Sequence, residues 1–265
     1  MELIKSEAVR IAKLAGMRIK DIRDNNTYQE STKHGYELVT TADIESNELI
    51  KNEILKTFPD HYILSEEDCE QKESSINHPT WIIDPIDGTV GYANNHYQVA
   101  VSIAFAINNK VTFGVVHNPF LEETFYAVEG HGAFLNDKQI KVKDVYDLRQ
   151  CVIGTGFPHK RDDLRDVIDV LQKILPHIRD IRRLGSPALD ICWVACGRMQ
   201  GFYEGRLSPW DVAAAKLIAI EAGAKTGCYN TRRNIFIPDC INGDSVIVSS
   251  PGIFDEFYRI VSGVK

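Results

Sequence analysis

Three apolar residues at 81–83 run directly into the string Asp-Pro-Ile-Asp-Gly-Thr at positions 84–89. The apolar run is typical of the end of a buried strand, so two carboxylates leave that strand together. The intervening proline fixes its own φ and stiffens the turn. Asp84, the Ile86 carbonyl and Asp87 are therefore placed to converge as hard oxygen ligands for Mg²⁺.

Gly88 and Thr89 follow these carboxylates and open a helix or turn. The first N–H groups of a helix have no partner within it, and they suit a phosphate bound beside a metal. A turn at Asp84 and a helix cap at Asp87 explain the same string about equally well. The string alone leaves both interpretations open.

A further carboxylate occurs in Ser208-Pro209-Trp210-Asp211, which opens an apolar segment ending near Gly223. With Ser208 as N-cap and Pro209 as the first helical residue, Asp211 falls in the first turn. Asp211 is then either a metal ligand or the acid of a capping box.

A third acidic segment, 65–68, contains Glu66 and follows the apolar residues 62–64. Taken alone, an acidic run of this kind favours a solvated strand end over a metal site. This segment by itself predicts no ligand.

The overall composition is that of an ordinary globular protein. The chain has 265 residues, of which 44% are hydrophobic and 25% charged. This excludes a disordered or fibrous protein and a small disulfide scaffold. Its net charge of -7 argues against an extended nucleic-acid surface, because such surfaces neutralise phosphates with basic residues.

Cysteine spacing and the terminal sequence add two expectations. The six cysteines contain no CxxC pair, so a structural zinc site is not expected. We read Cys192 and Cys196 as buried thiols rather than a redox pair. No export signal or apolar run of membrane-spanning length is seen, so we expect a cytoplasmic protein without membrane contact.

Hydrophobic periodicity divides the chain into two kinds of structure. It predicts a helix over the first 25 residues, a second helix from 41–43 to Pro59, and antiparallel hairpins between 81 and 142. From about residue 145, strands and helices alternate, and a helix closes the chain. We therefore expect a mixed α+β or α/β fold.

No linker rich in proline, glycine or serine interrupts the sequence. We expect one compact domain over 1–265 with two lobes. The first lobe, 1–145, holds helices, the antiparallel sheet and most of the metal site. The second lobe, 146–265, contributes Asp211 and substrate contacts.

Several segments occur together in an order that resembles the inositol monophosphatase family, within the Mg²⁺-dependent, Li⁺-sensitive phosphatase superfamily, as a bacterial-type member. They are Leu38 to Asp43, Glu66-Glu67, Trp81 to Thr89, Arg182 to Ser186, Trp210-Asp211 and Glu221 to Gly223. The resemblance covers nearly the whole chain. It implies a layered αβαβα sandwich and hydrolysis of a phosphomonoester such as inositol monophosphate by a metal-activated water.

The same resemblance implies two to three Mg²⁺ ions and their ligands. Glu66, Asp84 and the Ile86 carbonyl would hold the first ion. Asp84, Asp87 and Asp211 would hold the second, and Glu66 with water a weaker third. It also implies lithium sensitivity, a homodimer and a small phosphorylated substrate.

Catalytic and substrate contacts are implied in the same way. Asp43 and Thr89 would orient the attacking water, and Glu66 would be catalytic with them. The N–H groups of Gly88 and Thr89 would bind phosphate. The substrate contacts would be Asp87, Ser186 and Glu204.

The sequence departs from the family pattern at Val90-Gly91-Tyr92 and at Ala215 and Ala224. It also has Pro187 where the family often has an alanine whose backbone N–H contacts a substrate hydroxyl. Fructose-1,6-bisphosphate, NADP, 3′-phosphoadenosine phosphates and histidinol phosphate are therefore alternative substrates. An alternative outside the enzymes is a regulatory binding protein that associates with transcription machinery.

Two weaker motifs remain. Gly154-Thr155-Gly156 is read as a strand-end turn rather than a dinucleotide fingerprint. Arg179, Arg182 and Arg183 either steer anions, line a dimer interface or form a solvated strand end.

Overall fold

The computed structural model describes residues 1–33, 37–68, 76–158, 164–229 and 237–263. The described residues form these helices: α1 (Glu2–Asp24), α2 (Thr41–Thr57), α3 (Thr89–Ala93), α4 (Leu164–Ile174), α5 (Pro187–Ala195), α6 (Pro209–Glu221) and α7 (Phe254–Ser262). The strands are β1 (Glu30–Lys33), β2 (Glu37–Thr40), β3 (Tyr62–Ser65), β4 (Thr80–Asp87), β5 (Ala100–Ile107), β6 (Lys110–Asn118), β7 (Glu123–Val128), β8 (Ala133–Leu135), β9 (Lys138–Ile140), β10 (Val152–Thr155), β11 (Asp180–Arg182), β12 (Gly201–Gly205), β13 (Lys225–Cys228) and β14 (Ser245–Ser249).

Five layers build the molecule. Helices α1 and α2 cover one face of a seven-stranded sheet ordered β3-β4-β5-β6-β7-β8-β9. Helices α5 and α6 lie between its other face and a five-stranded sheet ordered β11-β10-β12-β14-β13. Helices α4 and α7 cover the outer face of that second sheet. This order confirms the predicted αβαβα sandwich, whereas the division into lobes at residue 145 stays a prediction.

The predicted helices and hairpins are present. The apolar stripe of α1 is buried against α2 and the large sheet, and α2 ends at Thr57, before Pro59. Asn108 and Asn109 connect β5 to β6 with φ of 53° and 60°, a left-handed conformation that asparagine tolerates. No helix within the described ranges is long and apolar enough to cross a membrane.

One pairing differs from the expected antiparallel sheet. Strands β3 and β4 are parallel, with Ser65 opposite Ile83, while the other neighbours in the seven-stranded sheet are antiparallel. Parallel strands end at the same edge of a sheet. Glu66 therefore emerges beside Asp84, which local sequence periodicity does not indicate.

Helix α6 lies directly on β6 at Gly114. A Cβ on Gly114 would be 2.8 Å from both the Cα and the carbonyl oxygen of Ala214. Those are backbone atoms, so they cannot rotate away. The close approach of strand and helix therefore depends on the missing side chain.

We predict that Gly114→Ala lowers the free energy of unfolding by about 1–3 kcal/mol, because it overpacks a backbone contact. Gly91→Ala is the matched control, since a Cβ there would be 3.5 Å from the Gln98 carbonyl oxygen, an ordinary contact distance. It should change stability by less than about 1 kcal/mol. Urea denaturation measures both, and equal midpoints would contradict the prediction.

His117, at the end of β6, is buried and hydrogen-bonds Thr124 through Nδ1 at 3.0 Å. Its ring fills the space beside Gly16, where a Cβ would be 2.5 Å from Cδ2. Burial lowers the pKa of His117 to about 4. Between pH 6.5 and 4 the unfolded chain binds a proton that the folded chain does not, so stability falls as pH falls through this window.

Between pH 7 and pH 5, His117 alone should remove about 2 kcal/mol of stability. We predict that His117→Asn reduces the measured decline by this amount, and that His131→Asn, at an exposed histidine, leaves it unchanged. Urea melts at the two pH values measure the decline. An identical decline in His117→Asn and the unsubstituted protein would show that His117 is not its source.

Candidate active site

Three carboxylates from two elements meet at one edge of the large sheet. Asp84 and Asp87 come from the end of β4, and Asp211 comes from the first turn of α6. One oxygen from each carboxylate lies within 4.8 Å of the others. This is a hard-oxygen donor set of the kind that binds Mg²⁺.

The end of β4 is irregular, and that irregularity places both aspartates. Asp84 pairs with Ser102 and Asp87 with Ala100, so the β4 register shifts between them. Asp84 Oδ1 accepts a hydrogen bond from the Ile86 N–H at 3.0 Å. An extra residue in a strand bends it and redirects its side chains.

Gly88 then turns the chain into α3 with a φ of 99°. A Cβ there would be 2.9 Å from the Gln98 carbonyl and 3.1 Å from the Gly185 carbonyl. The positive φ and the close backbone neighbours both require glycine. Thr89 is the first residue of the short helix, as the sequence predicts.

Thr89 and Asp43 are brought together from distant parts of the chain. Thr89 Oγ1 donates to Asp43 Oδ1 at 3.0 Å and lies 3.2 Å from the Ile86 carbonyl. The other oxygen of Asp43 accepts from the N–H and hydroxyl of Thr40, at 2.7 and 2.6 Å, in the capping box of α2. Burial raises the pKa of Asp43 to about 7.

The prediction of a solvated acidic run is wrong for Glu66. It lies in a 3₁₀ turn after β3 and lines the same cleft as Asp84 and Asp211. Its Oε1 is 2.7 Å from the Nζ of Lys33. Asp68, two residues on, is exposed as the prediction requires. The parallel pairing of β3 with β4 accounts for the difference.

Both Asp211 and Asp87 cap helices, but Asp87 does not cap the helix that follows it in the chain. Asp211 Oδ2 accepts from the Ser208 N–H at 2.7 Å, so Asp211 does cap α6 while its carboxylate also faces the cleft. Asp87 caps a helix distant in sequence rather than the next segment. Its Oδ2 accepts from the Ser186 hydroxyl and the Ala188 N–H at the start of α5.

Charge repulsion within the cluster is strong. Burial raises the pKa of Asp84, and the neighbouring carboxylates of Glu66, Asp87 and Asp211 raise it further. The pKa values of Asp87 and Asp211 are raised for the same two reasons. A divalent cation among these oxygens would offset the repulsion, so the donor set fits Mg²⁺.

Pro187 and Glu204 also line the cleft, and Ser186 is buried next to Pro187. Ser186 is the buried N-cap of α5, and Pro187 is its first residue, so no N–H is offered there. Glu204 is the last residue but one of β12, and its carboxylate fills the space beside Gly156, where a Cβ would be 2.0 Å from Oε1. Burial raises the pKa of Glu204 to about 8.

Three residues at this site have no local sequence signal that predicts a role. Lys33 pairs with both Glu66 and Glu67, at 2.7 and 2.8 Å. Gly156 lies at the strand end that the sequence predicts, and its lack of a side chain leaves room for the Glu204 carboxylate. Arg206 lines the cleft with a φ of 65°. Lys33 and Gly156 contact residues far away in the chain, and Arg206 is distinguished by its backbone conformation. Local sequence patterns indicate neither.

Comparison with known proteins gives a consistent result. The model of the inositol monophosphatase family matches residues 1–262. Nus factor SuhB of Pasteurella multocida is 38% identical over 227 residues, 84% of either chain. Inositol monophosphatase 2 of Solanum lycopersicum is 37% identical over 231 residues, 84% of this chain and 86% of that protein. The crystal structure of extragenic suppressor protein SuhB from Bartonella henselae superposes with a TM-score of 0.89 at 31% identity, covering 99% of this chain and 100% of that one.

Asp211→Asn separates capping from metal binding. Asparagine still caps a helix, so the metal-free protein should lose no more than about 1 kcal/mol of stability. Loss of one charged ligand should weaken Mg²⁺ binding at least about tenfold. Mg²⁺ should then raise the thermal midpoint less than in the unsubstituted protein.

Asp68→Asn provides the control, because Asp68 is exposed at the end of the 3₁₀ turn that contains Glu66 and pairs with Lys51. It should keep the full Mg²⁺-dependent rise in thermal midpoint. A full rise in Asp211→Asn as well would leave Asp211 as a helix cap only.

Proposed function

The chain belongs to the inositol monophosphatase family, and from this premise we propose that it is a Mg²⁺-dependent phosphomonoesterase for inositol monophosphate or a related small sugar phosphate. The convergence of Asp84, Asp87 and Asp211 carries the proposal, because one oxygen from each lies within 4.8 Å of the others. Identity of 37% with a plant inositol monophosphatase supports it.

The proposed ligand set is shared between two ions. Glu66, Asp84 and the Ile86 carbonyl belong to one, and Asp84, Asp87 and Asp211 to the other, with a weaker third position at Glu66. The Thr89 hydroxyl donates its one proton to Asp43, so the Ile86 carbonyl keeps its lone pairs for an ion. Bound Mg²⁺ supplies positive charge to the phosphate and lowers the pKa of water.

Asp43 and Thr89 are the proposed pair that orients the attacking water. The Thr40 contacts fix the Asp43 carboxylate, and Asp43 in turn fixes the Thr89 hydroxyl. A pKa near 7 suits a group that accepts a proton at neutral pH. The water's proton would pass through the Thr89 hydroxyl to Asp43, with Glu66 nearby on the cleft wall.

The phosphate would bind at the start of α3. The N–H groups of Gly88 and Thr89 precede the first hydrogen bond of that helix, which runs from the Tyr92 N–H to the Gly88 carbonyl at 2.9 Å. They are therefore available as donors beside the carboxylate cluster. Phosphate oxygens are favourable acceptors for such N–H groups.

Substrate hydroxyls would meet acceptors in the same cleft. Ser186 is buried and donates its proton to Asp87, so its proposed part in substrate binding is to orient the Asp87 carboxylate. Glu204 and Asp87 both line the cleft and offer carboxylate oxygens. Pro187 supplies no N–H, so a ring hydroxyl near it lacks a donor. We therefore propose broadened selectivity, with fructose-1,6-bisphosphate, NADP, 3′-phosphoadenosine phosphates and histidinol phosphate as further candidates.

A regulatory role is the second proposal. The relative from Pasteurella multocida is named a Nus factor, and it is 38% identical over 84% of both chains. We propose that this chain also associates with transcription machinery, as a cytoplasmic homodimer. Binding and catalysis are compatible, because the carboxylate cluster lies inside a cleft rather than on an outer face.

Phosphate release from the named substrates, with and without Mg²⁺ and with added Li⁺, tests the activity. We predict Mg²⁺-dependent turnover that Asp84→Asn reduces more than tenfold in kcat, a barrier increase above about 1.4 kcal/mol. Asp84 is proposed to contact both ions, so the substitution weakens both sites.

Asp180→Asn, at an exposed aspartate on β11, is the control and should keep full turnover. Retention of more than a tenth of kcat by Asp84→Asn would contradict the shared-ligand role. Absence of turnover on every substrate would contradict the proposed activity.

A further inference from the structure

Lys216 is a buried lysine in the middle of the apolar helix α6. It is 6% exposed, and its neighbours Ala215 and Leu217 are buried with it. Burial of an ammonium group is costly unless hydrogen bonds replace those that water makes. The hydrolysis proposed for the cleft does not use this residue, so its contacts are the place to look for its role.

The ammonium group of Lys216 holds the segment 239–244 against the helix. Its contacts include hydrogen bonds from Nζ to the backbone carbonyls of Asp239 and Asn242, at 2.5 and 3.3 Å. Asp239 begins a 3₁₀ turn, and Asn242 follows that turn. Asn242 is fully buried, and its Oδ1 accepts from the Asp244 N–H at 3.0 Å. One side chain therefore fixes both ends of the 3₁₀ turn.

The same segment binds the chain turn that precedes α6. The Leu207 N–H donates to the Gly243 carbonyl at 3.0 Å, and the Arg206 N–H donates to the Asp244 carbonyl at 2.9 Å. A Cβ on Gly243 would be 2.3 Å from the Leu207 carbonyl oxygen, so the two backbones are in close contact. The position of the turn therefore depends on the position of the segment 239–244.

The turn leads directly into the cap that orients Asp211. The Ser208 N–H, next to Leu207 in the chain, donates to Asp211 Oδ2 at 2.7 Å. Leu207 and Ser208 line the cleft together with Asp211. A shift of the turn would move the donor that fixes the Asp211 carboxylate. A continuous set of hydrogen bonds and backbone contacts thus connects Lys216 to Asp211.

We propose that Lys216 is a positioning residue for Asp211 and acts through the segment 239–244 and the turn at 206–207. The inference rests on the proposed function, in which Asp211 holds one of the Mg²⁺ ions. Lys216 lies five residues after Asp211, so the two side chains leave the helix about 140° apart and face different neighbours. Metal ligands bind well when surrounding contacts hold them in the productive geometry.

Magnesium affinity is the first test. Lys216→Met keeps an unbranched side chain of similar length and removes its hydrogen bonds. Titration calorimetry with Mg²⁺ alone should give a Kd about three- to tenfold higher than in the unsubstituted protein, because Asp211 is present but held less well. An unchanged Kd would overturn the proposal.

Lys225→Met is the matched control for the loss of a lysine. Lys225 lies on β13 with a side chain that is 50% exposed, and its ion pair with Asp255 is long, at 3.7 Å. The Kd for Mg²⁺ should stay the same in this variant. A rise equal to that in Lys216→Met would make the effect one of net charge and overturn the proposal.

Hydrogen exchange in the metal-free protein is a readout that a general loss of stability would not reproduce. The amides of Arg206, Leu207 and Ser208 each donate one bond of this connection. In Lys216→Met they should exchange at least about fivefold faster, while the amides of β5 change by less than about twofold. Equal acceleration at all these amides would make Lys216 a contributor to overall stability only and overturn the proposal.

Gly243→Ala tests the same connection from its other end. The new Cβ would overlap the Leu207 carbonyl oxygen and separate the turn from the segment, while Lys216 stays in place. This variant should reproduce the rise in Kd and the faster exchange at 206–208. Normal values of both in Gly243→Ala would overturn the proposal, even where Lys216→Met does not fold.

Failure of the proposed function has a different signature. If the unsubstituted protein binds no Mg²⁺, the proposed function fails, and exchange of the Ser208 amide decides the inference, because Asp211 is its acceptor. Selective acceleration of that amide in Lys216→Met would keep Lys216 as the residue that positions the Asp211 carboxylate. No acceleration would overturn this role.

Discussion

Repulsion between carboxylates crowded into one cleft is the constraint on which this structure depends. Asp84, Asp87 and Asp211 place oxygens within 4.8 Å of one another, and burial raises their pKa values together. The fold must hold α6 against the large sheet in spite of this repulsion. Gly114 lets the helix approach, and the Ser102 hydroxyl donates to the Trp210 carbonyl at 3.2 Å, one residue before Asp211. The packing of the middle layer therefore sets the geometry of the cluster.

The same aspartates take part in local structure. Asp211 caps its own helix, Asp43 closes the capping box of α2, and Asp87 binds the start of α5. Each cap fixes a carboxylate that would otherwise rotate. Capping and metal binding are compatible, because a carboxylate has two oxygens and about four acceptor positions. The helix starts thus orient the groups that the proposed chemistry requires.

The sequence predicts the secondary-structure elements better than the long-range contacts between them. The apolar run before Asp84, the proline-opened helix at Asp211 and the Asn108-Asn109 turn all have local signals, and the structure contains each of them. Glu66 is different, because its place depends on a parallel pairing between strands that lie apart in the sequence. The left-handed conformation of Arg206 depends on hydrogen bonds to 243–244, which no local pattern indicates. Long-range pairing and backbone conformation are the parts that periodicity does not encode.

The central claim is that these carboxylates hold the catalytic ions. Diffraction from crystals soaked in Mn²⁺, recorded near the manganese absorption edge, locates bound ions directly. Manganese prefers the same oxygen ligands as magnesium. The account predicts anomalous peaks between Asp84, Asp87 and Asp211 and beside Glu66. Fully occupied manganese elsewhere in the molecule, with no peak at this cluster, would contradict it.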